Sequence, residues 1–206
     1  MFKQKTGATQ KSGAQGAPNA SQKLHSVHVL PSGRDFVGKA DIGGKSYQVA
    51  FSPQTAEAVS GKLVLTGAIK FKAPAGQQKV ANGVSATLLA TQGSITAPSA
   101  LSRQFSASLK PPQSEPSSLL PITDWTGYYG SVAAMYLRLS PLDARALGVP
   151  ADLSSVQLNA RLYATSDLER DLHWLYSALT ESIYGGRPNP QLTADYLGAV
   201  NQILKA

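Results

Sequence analysis

The stretch Arg34–Phe51, RDFVGKADIGGKSYQVAF, decides the class of fold. At its centre lies Gly43-Gly44, a pair able to take the positive φ angles of a two-residue hairpin turn. Beyond the turn Tyr47, Val49 and Phe51 alternate with Ser46, Gln48 and Ala50, the period of two expected of a half-buried strand. Arg34–Ile42 is its partner across the turn, so the segment reads as an antiparallel β-hairpin.

Working outward, Leu24–Leu30 before the hairpin and Lys62–Lys72, Val84–Thr91 and Arg103–Leu109 after it read as further short strands. Ser52-Pro53 offers a helix N-cap followed by proline at the first helical position, and Gly61 a stop, which predicts a short helix over 53–59. Three strands, a short helix and two strands over Leu24–Thr91 match an OB-like small barrel in element order. At Lys110 the texture breaks into KPPQSEPSS, with Pro121 a little further on, the composition of a stiff linker.

Past the linker, Val132–Leu139 and the alternating Val156–Tyr163 read as strands, and Ser140-Pro141 opens a short helix that Gly148 ends. Ser166 and Glu169 form a capping box for a longer helix with Leu168, Leu172, Leu175, Leu179 and Ile183 as its apolar stripe, closed by Gly185-Gly186. Asn189 and Pro190 open a second helix through Tyr196, Val200 and Ile203, so the pair reads as an antiparallel αα-hairpin packed on the strands. The fold class is therefore α+β: a mostly antiparallel β barrel or sandwich, followed by a smaller strand-plus-αα-hairpin unit. Its divisions are a flexible basic tail over 1–22, a β-rich basic domain over 23–110, a Pro-rich linker over 111–121 and an α+β unit over 122–206, the β-rich domain and the α+β unit sharing one core or standing apart.

The 206 residues are 42% hydrophobic, enough to build a core and to set wholesale disorder aside. Cysteine is absent, which removes disulfides, thiolate metal sites and Cys nucleophiles together. No apolar run approaches the roughly 18 residues that cross a bilayer, and the N-terminus carries no hydrophobic leader, so a cytoplasmic protein is expected unless a signal peptide has been removed. The net charge of +7 is unevenly placed. Residues 1–110 hold eleven Lys and two Arg against Asp35, Asp41 and Glu57, whereas nine acids outnumber six cations in residues 111–206. Such asymmetry acts on partners rather than on fold and directs the first half toward something anionic: nucleic acid, lipid headgroups or an acidic protein face.

Catalytic and metal signatures are weak. Gly38–Ser46 has the residues of a phosphate-binding loop but the wrong spacing, and a strand follows where that loop needs a helix. His25 and His28 are expected on opposite faces of a strand, and Glu169 and His173, at i and i+4, read as a surface helix pair. No G-x-S-x-G elbow occurs. No cofactor and no metal-ligand set is expected.

The binding candidates are Lys62, Lys70 and Lys72 on the solvent face of one strand, and Trp125, Tyr128 and Tyr129 in the glycine-bounded cluster TDWTGYYG just past the linker. The leading expectation is a non-enzymatic interaction or assembly protein that meets an anionic partner surface, in a protein complex or homo-oligomer. A nucleic-acid-binding protein with an OB-like barrel is the alternative, and an enzyme or small-ligand binder at the cleft between the two units is third.

Overall fold

A computed structural model of the chain describes residues 22–92, 133–162, 166–185 and 188–206. Among these described residues nine strands and two helices follow in order: β1 (Gln22–Lys23), β2 (Ser26–Ser32), β3 (Asp35–Ile42), β4 (Lys45–Val59), β5 (Lys62–Lys72), β6 (Gln78–Gln92), β7 (Ala133–Leu139), β8 (Ala151–Asp152), β9 (Gln157–Leu162), α1 (Asp167–Tyr184) and α2 (Pro190–Lys205). Seven of the strands close a barrel in the order β2-β3-β4-β5-β6-β7-β9. Neighbours are antiparallel throughout except at the seam, where β2 and β9 run parallel.

The hairpin over 34–51 forms as the pattern dictates. Gly43 and Gly44 turn at φ 57° and 73°, and Ile42 stands opposite Lys45. Tyr47, Val49 and Phe51 point inward, as do Phe36, Ala40 and Ile42 across the ladder. Leu63, Leu65, Ile69 and Phe71 of β5 join them, leaving their alternates on the outer wall.

The helix expected over 53–59 does not form. Those residues are the second half of the 15-residue β4, and the chain passes Pro53 with a shift of register between Pro53 and Thr55. A bulge is the position within a sheet that tolerates a residue without an N–H, so the Ser-Pro pair that resembles a helix start instead kinks a strand. The three-strand, helix, two-strand order that suggested an OB barrel goes with it.

Both sides of the linker contribute to the closed wall. β7 pairs with β6, and β9 closes on β2, so the C-terminal strands complete the same barrel as the basic N-terminal ones. A single apolar core results, from Val27 through Leu158 to Leu175 and Val200. The linker itself, the tail up to residue 21 and the expected strand Arg103–Leu109 lie outside the described residues. Over 141–148 the expected short helix is a set of turns: Asp143 Oδ1 accepts from Arg145 N and Ala146 N, and Gly148, at φ 65°, ends the run within one turn.

The two helices close one end of the barrel, where the chain needs partners that strands no longer supply. β4 outruns β3, whose pairing with it stops at Phe36–Phe51. There Asn201 of α2 presents its amide to the bare strand edge, accepting from Ala56 N at 2.8 Å and donating to Ala56 O at 2.9 Å. The β5–β6 ladder ends at Val64–Thr87. The Tyr184 hydroxyl bridges the next step, accepting from Leu63 N at 3.0 Å and donating to Leu88 O at 3.4 Å. At the β2–β3 turn Gly33 N donates to Glu169 Oε1 at 2.8 Å. Tyr176 plugs the interior from α1, its ring centroid 6.3 Å from that of Phe36. Trp174 and Tyr196 meet edge-on between the helices at 5.8 Å.

Candidate functional site: a groove on the outer wall of the barrel

On the wall across β9, β2, β3 and β4, the register fixes which outward side chains stand together. Cα partners run Lys72–Gln48–Lys39–His28–Asn159 from β5 to β9, a lateral row of hydrogen-bonding and cationic groups. Two residues along each strand lies a second row, Lys70–Ala50–Val37–Leu30. It is mainly apolar, and its Leu30 and Val37 are 56% and 37% exposed. Successive outward residues on a strand are about 7 Å apart and neighbouring strands about 4.8 Å apart, so the rows form one compact field.

Within this field an open groove of ≈ 720 Å³ is lined by His28, Val29, Leu30, Val37, Gly38, Lys39, Gln48, Asn159 and Arg161. Gly38 is required where the barrel wall pinches: a Cβ there would strike His28 O across the β2–β3 ladder. Among the described residues neither Lys39 nor Arg161 enters an ion pair, whereas Arg170 pairs with Asp167 on α1. None of the nine described lining residues is acidic, so the groove carries positive charge. Asp41, outward on β3 and two residues beyond Lys39, bounds that charge on one side.

The residues singled out from sequence fall in three places. Lys70 and Lys72 extend the two rows on β5 and so adjoin the groove. Lys62 opens β5 at the helix-capped end, roughly 25 Å away at the rise of a strand, and does not join them. Trp125, Tyr128 and Tyr129 lie outside the described residues. The lining residues that sequence reasoning missed are Lys39, Arg161, His28, Gln48 and Asn159. Their outward orientation was available from alternation: Lys39 lies between inward Phe36 and Ile42, and Arg161 between inward Ala160 and Leu162. Periodicity does not encode the parallel seam that sets β9 beside β2.

The Glu169–His173 pair is corrected by the structure: Glu169 is 4% and His173 1% exposed, so it is no surface pair. The helix is buried on a broader arc than its leucine stripe because its N-terminal half is packed on that side as well, with Asp171 at 3%. Burial holds the His173 imidazole neutral, its pKa pushed down to about 4, against the smaller upward pull of the Glu169 charge. Glu169, bonded to Gly33 N, fastens the helix to the barrel end, and neither residue of the pair lines the groove.

Among the described residues no group of three or more His, Asp or Glu is placed to hold a metal, and no helix is long and apolar enough to cross a membrane. The chain matches no protein-family model, no curated protein and no solved structure with which it was compared.

Proposed function

We propose that this protein is a non-enzymatic binding protein that meets an anionic partner through the outer wall of its barrel. What carries the reading is the groove, where Lys39 and Arg161 have no acidic partner among the described residues and stand beside exposed Leu30 and Val37. Exposed cations stay solvated until an opposite charge arrives, and an apolar floor beside them adds affinity on desolvation. The wall continues the same chemistry through Lys70 and Lys72 on β5. A partner protein with an acidic face suits this surface better than nucleic acid does, because a stacking platform needs large aromatic rings beside the cations and the described lining holds no Phe, Tyr or Trp.

The test is equilibrium binding of the full chain to labelled poly-L-glutamate and to oligothymidylate at low ionic strength, followed by fluorescence anisotropy. Binding that weakens steeply with salt and is abolished in Lys39→Glu/Arg161→Glu supports the reading. Absence of binding to either polyanion at low salt overturns it, and binding that ignores the two reversals moves the site off this wall.

A further inference from the structure

We infer that the groove takes a short segment of a partner protein in which acidic residues are interspersed with apolar ones. This rests on the anion-binding reading of the wall and specifies the occupant.

The groove spans β4, β3, β2 and β9, three interstrand intervals or about 14 Å, which is the reach of about four residues of extended chain. Within that length a ligand has to satisfy two unlike surfaces. Leu30 and Val37, direct partners across β2 and β3, present apolar side chains to solvent. Lys39 on β3 and Arg161 on β9 stand to either side of β2, the strand that carries Leu30. Positive charge therefore borders the apolar pair at two places, Arg161 on the strand beside Leu30 and Lys39 two residues along β3 from Val37.

That distribution selects among anionic ligands. A fatty carboxylate or a lipid segregates its charge to one end of an apolar chain, and would leave one of the two cations facing hydrocarbon. A polyphosphate backbone supplies charge along its length but nothing for Leu30 and Val37. A polypeptide segment that presents acids and an apolar side chain on the same face meets both. Gln48 strengthens the match, because its side-chain amide carries a donor and an acceptor, the pairing that a peptide main chain requires and that an acyl chain cannot use; Asn159 adds its Nδ2 donor, its Oδ1 accepting from Gln157 Nε2 at 2.7 Å. All the side chains invoked face outward from the sheet, so docking asks for no rearrangement of the barrel.

The experiment uses a fluorescein-labelled peptide of about ten residues that repeats Glu-Glu-Leu-Leu, so that either face of the extended chain carries both side chains, and is longer than the groove by a few residues at each end. It is compared with polyglutamate of the same length, with its mirror in which Lys replaces Glu, with phosphatidylglycerol vesicles and with oligothymidylate. The Glu/Leu peptide is expected to bind about tenfold more tightly than polyglutamate, the margin that covering two partly exposed aliphatic side chains provides. Leu30→Ser/Val37→Ser should erase that margin and leave polyglutamate binding unchanged. Lys39→Glu/Arg161→Glu should lose the Glu/Leu peptide and acquire its Lys/Leu mirror. These substitutions sit on the outer wall, and circular dichroism of each variant establishes that the barrel is kept. Equal affinity for Glu/Leu peptide and polyglutamate, or a margin that survives the serine pair, overturns the inference while the anion-binding reading stands. Tighter binding to vesicles or to the oligonucleotide overturns it in favour of that other class. Silence from every anionic probe removes both.

Discussion

Replacing Asn201 with alanine strips two hydrogen bonds from β4 at the point where the strand has lost its neighbour. The amide now accepts from Ala56 N and donates to Ala56 O, at 2.8 and 2.9 Å, doing for one residue what another strand would do. Each such bond contributes about 1 kcal/mol net, and a main-chain group left half-buried without a partner costs about as much again or more, so the change should destabilise the fold by about 2–3 kcal/mol. For a chain of this size that is a fall of roughly 5–10 °C in Tm. Asn201→Leu, which restores bulk without polarity, should fall with the alanine variant. Asn201→Asp keeps the acceptor for Ala56 N but turns a carboxylate toward Ala56 O, so it should be no better at neutral pH and recover in acid, where a protonated carboxyl donates again. Urea unfolding gives the free energies, and hydrogen exchange at the Ala56 amide gives the local effect. If alanine and leucine variants both stay within about 0.5 kcal/mol of the parent and Ala56 keeps its protection, the strand-substitute account of Asn201 is wrong.

Tyr176→Phe should leave stability unchanged or raise it by up to about 1 kcal/mol in urea unfolding, because the buried Tyr176 hydroxyl has no hydrogen-bond partner among the described residues. A loss larger than that would mean the hydroxyl is bonded after all. His173 sets a pH dependence whose sign follows from its depressed pKa. In the unfolded chain the imidazole takes a proton near pH 6.5, in the folded chain only near 4, so the unfolded state binds more protons as pH falls through that window. Stability should therefore decline by about 1.5 kcal/mol between about pH 6.5 and 5. His173→Gln should flatten that decline, and parallel pH profiles for parent and variant would contradict the assignment.

Local chemistry made much of the architecture legible. Gly43-Gly44 turns where its φ freedom is needed, Ser166 Oγ caps α1 by accepting from Glu169 N, and Asn189 Oδ1 caps α2 by accepting from Leu192 N. Each of these signals is complete within four residues. Pro53 shows the opposite case: Ser-Pro carries a real helix-start preference, but the inward run Tyr47, Val49, Phe51 continues through buried Pro53, and the sheet overrides it. Glu169 shows another, since its capping position was plain while its bond to Gly33 N depends on where the helix lands on the barrel. The groove was the least legible feature. Lys39 and Arg161 each showed their outward side by alternation, but only the β2–β9 pairing of distant segments makes them neighbours.

That seam also orders events in time. A ribosome delivers β2 through β6 long before β9, and until residues 157–162 have emerged β2 has no partner on its outer edge. An uncovered strand edge is a template for pairing with another chain, and the closed barrel removes it only at the last step of assembly. Contacts between segments so far apart in sequence close slowly. Arrested or truncated chains ending before β9 would thus expose the very strand that carries His28 and Leu30, so the binding wall and the point of greatest vulnerability during synthesis are the same piece of backbone.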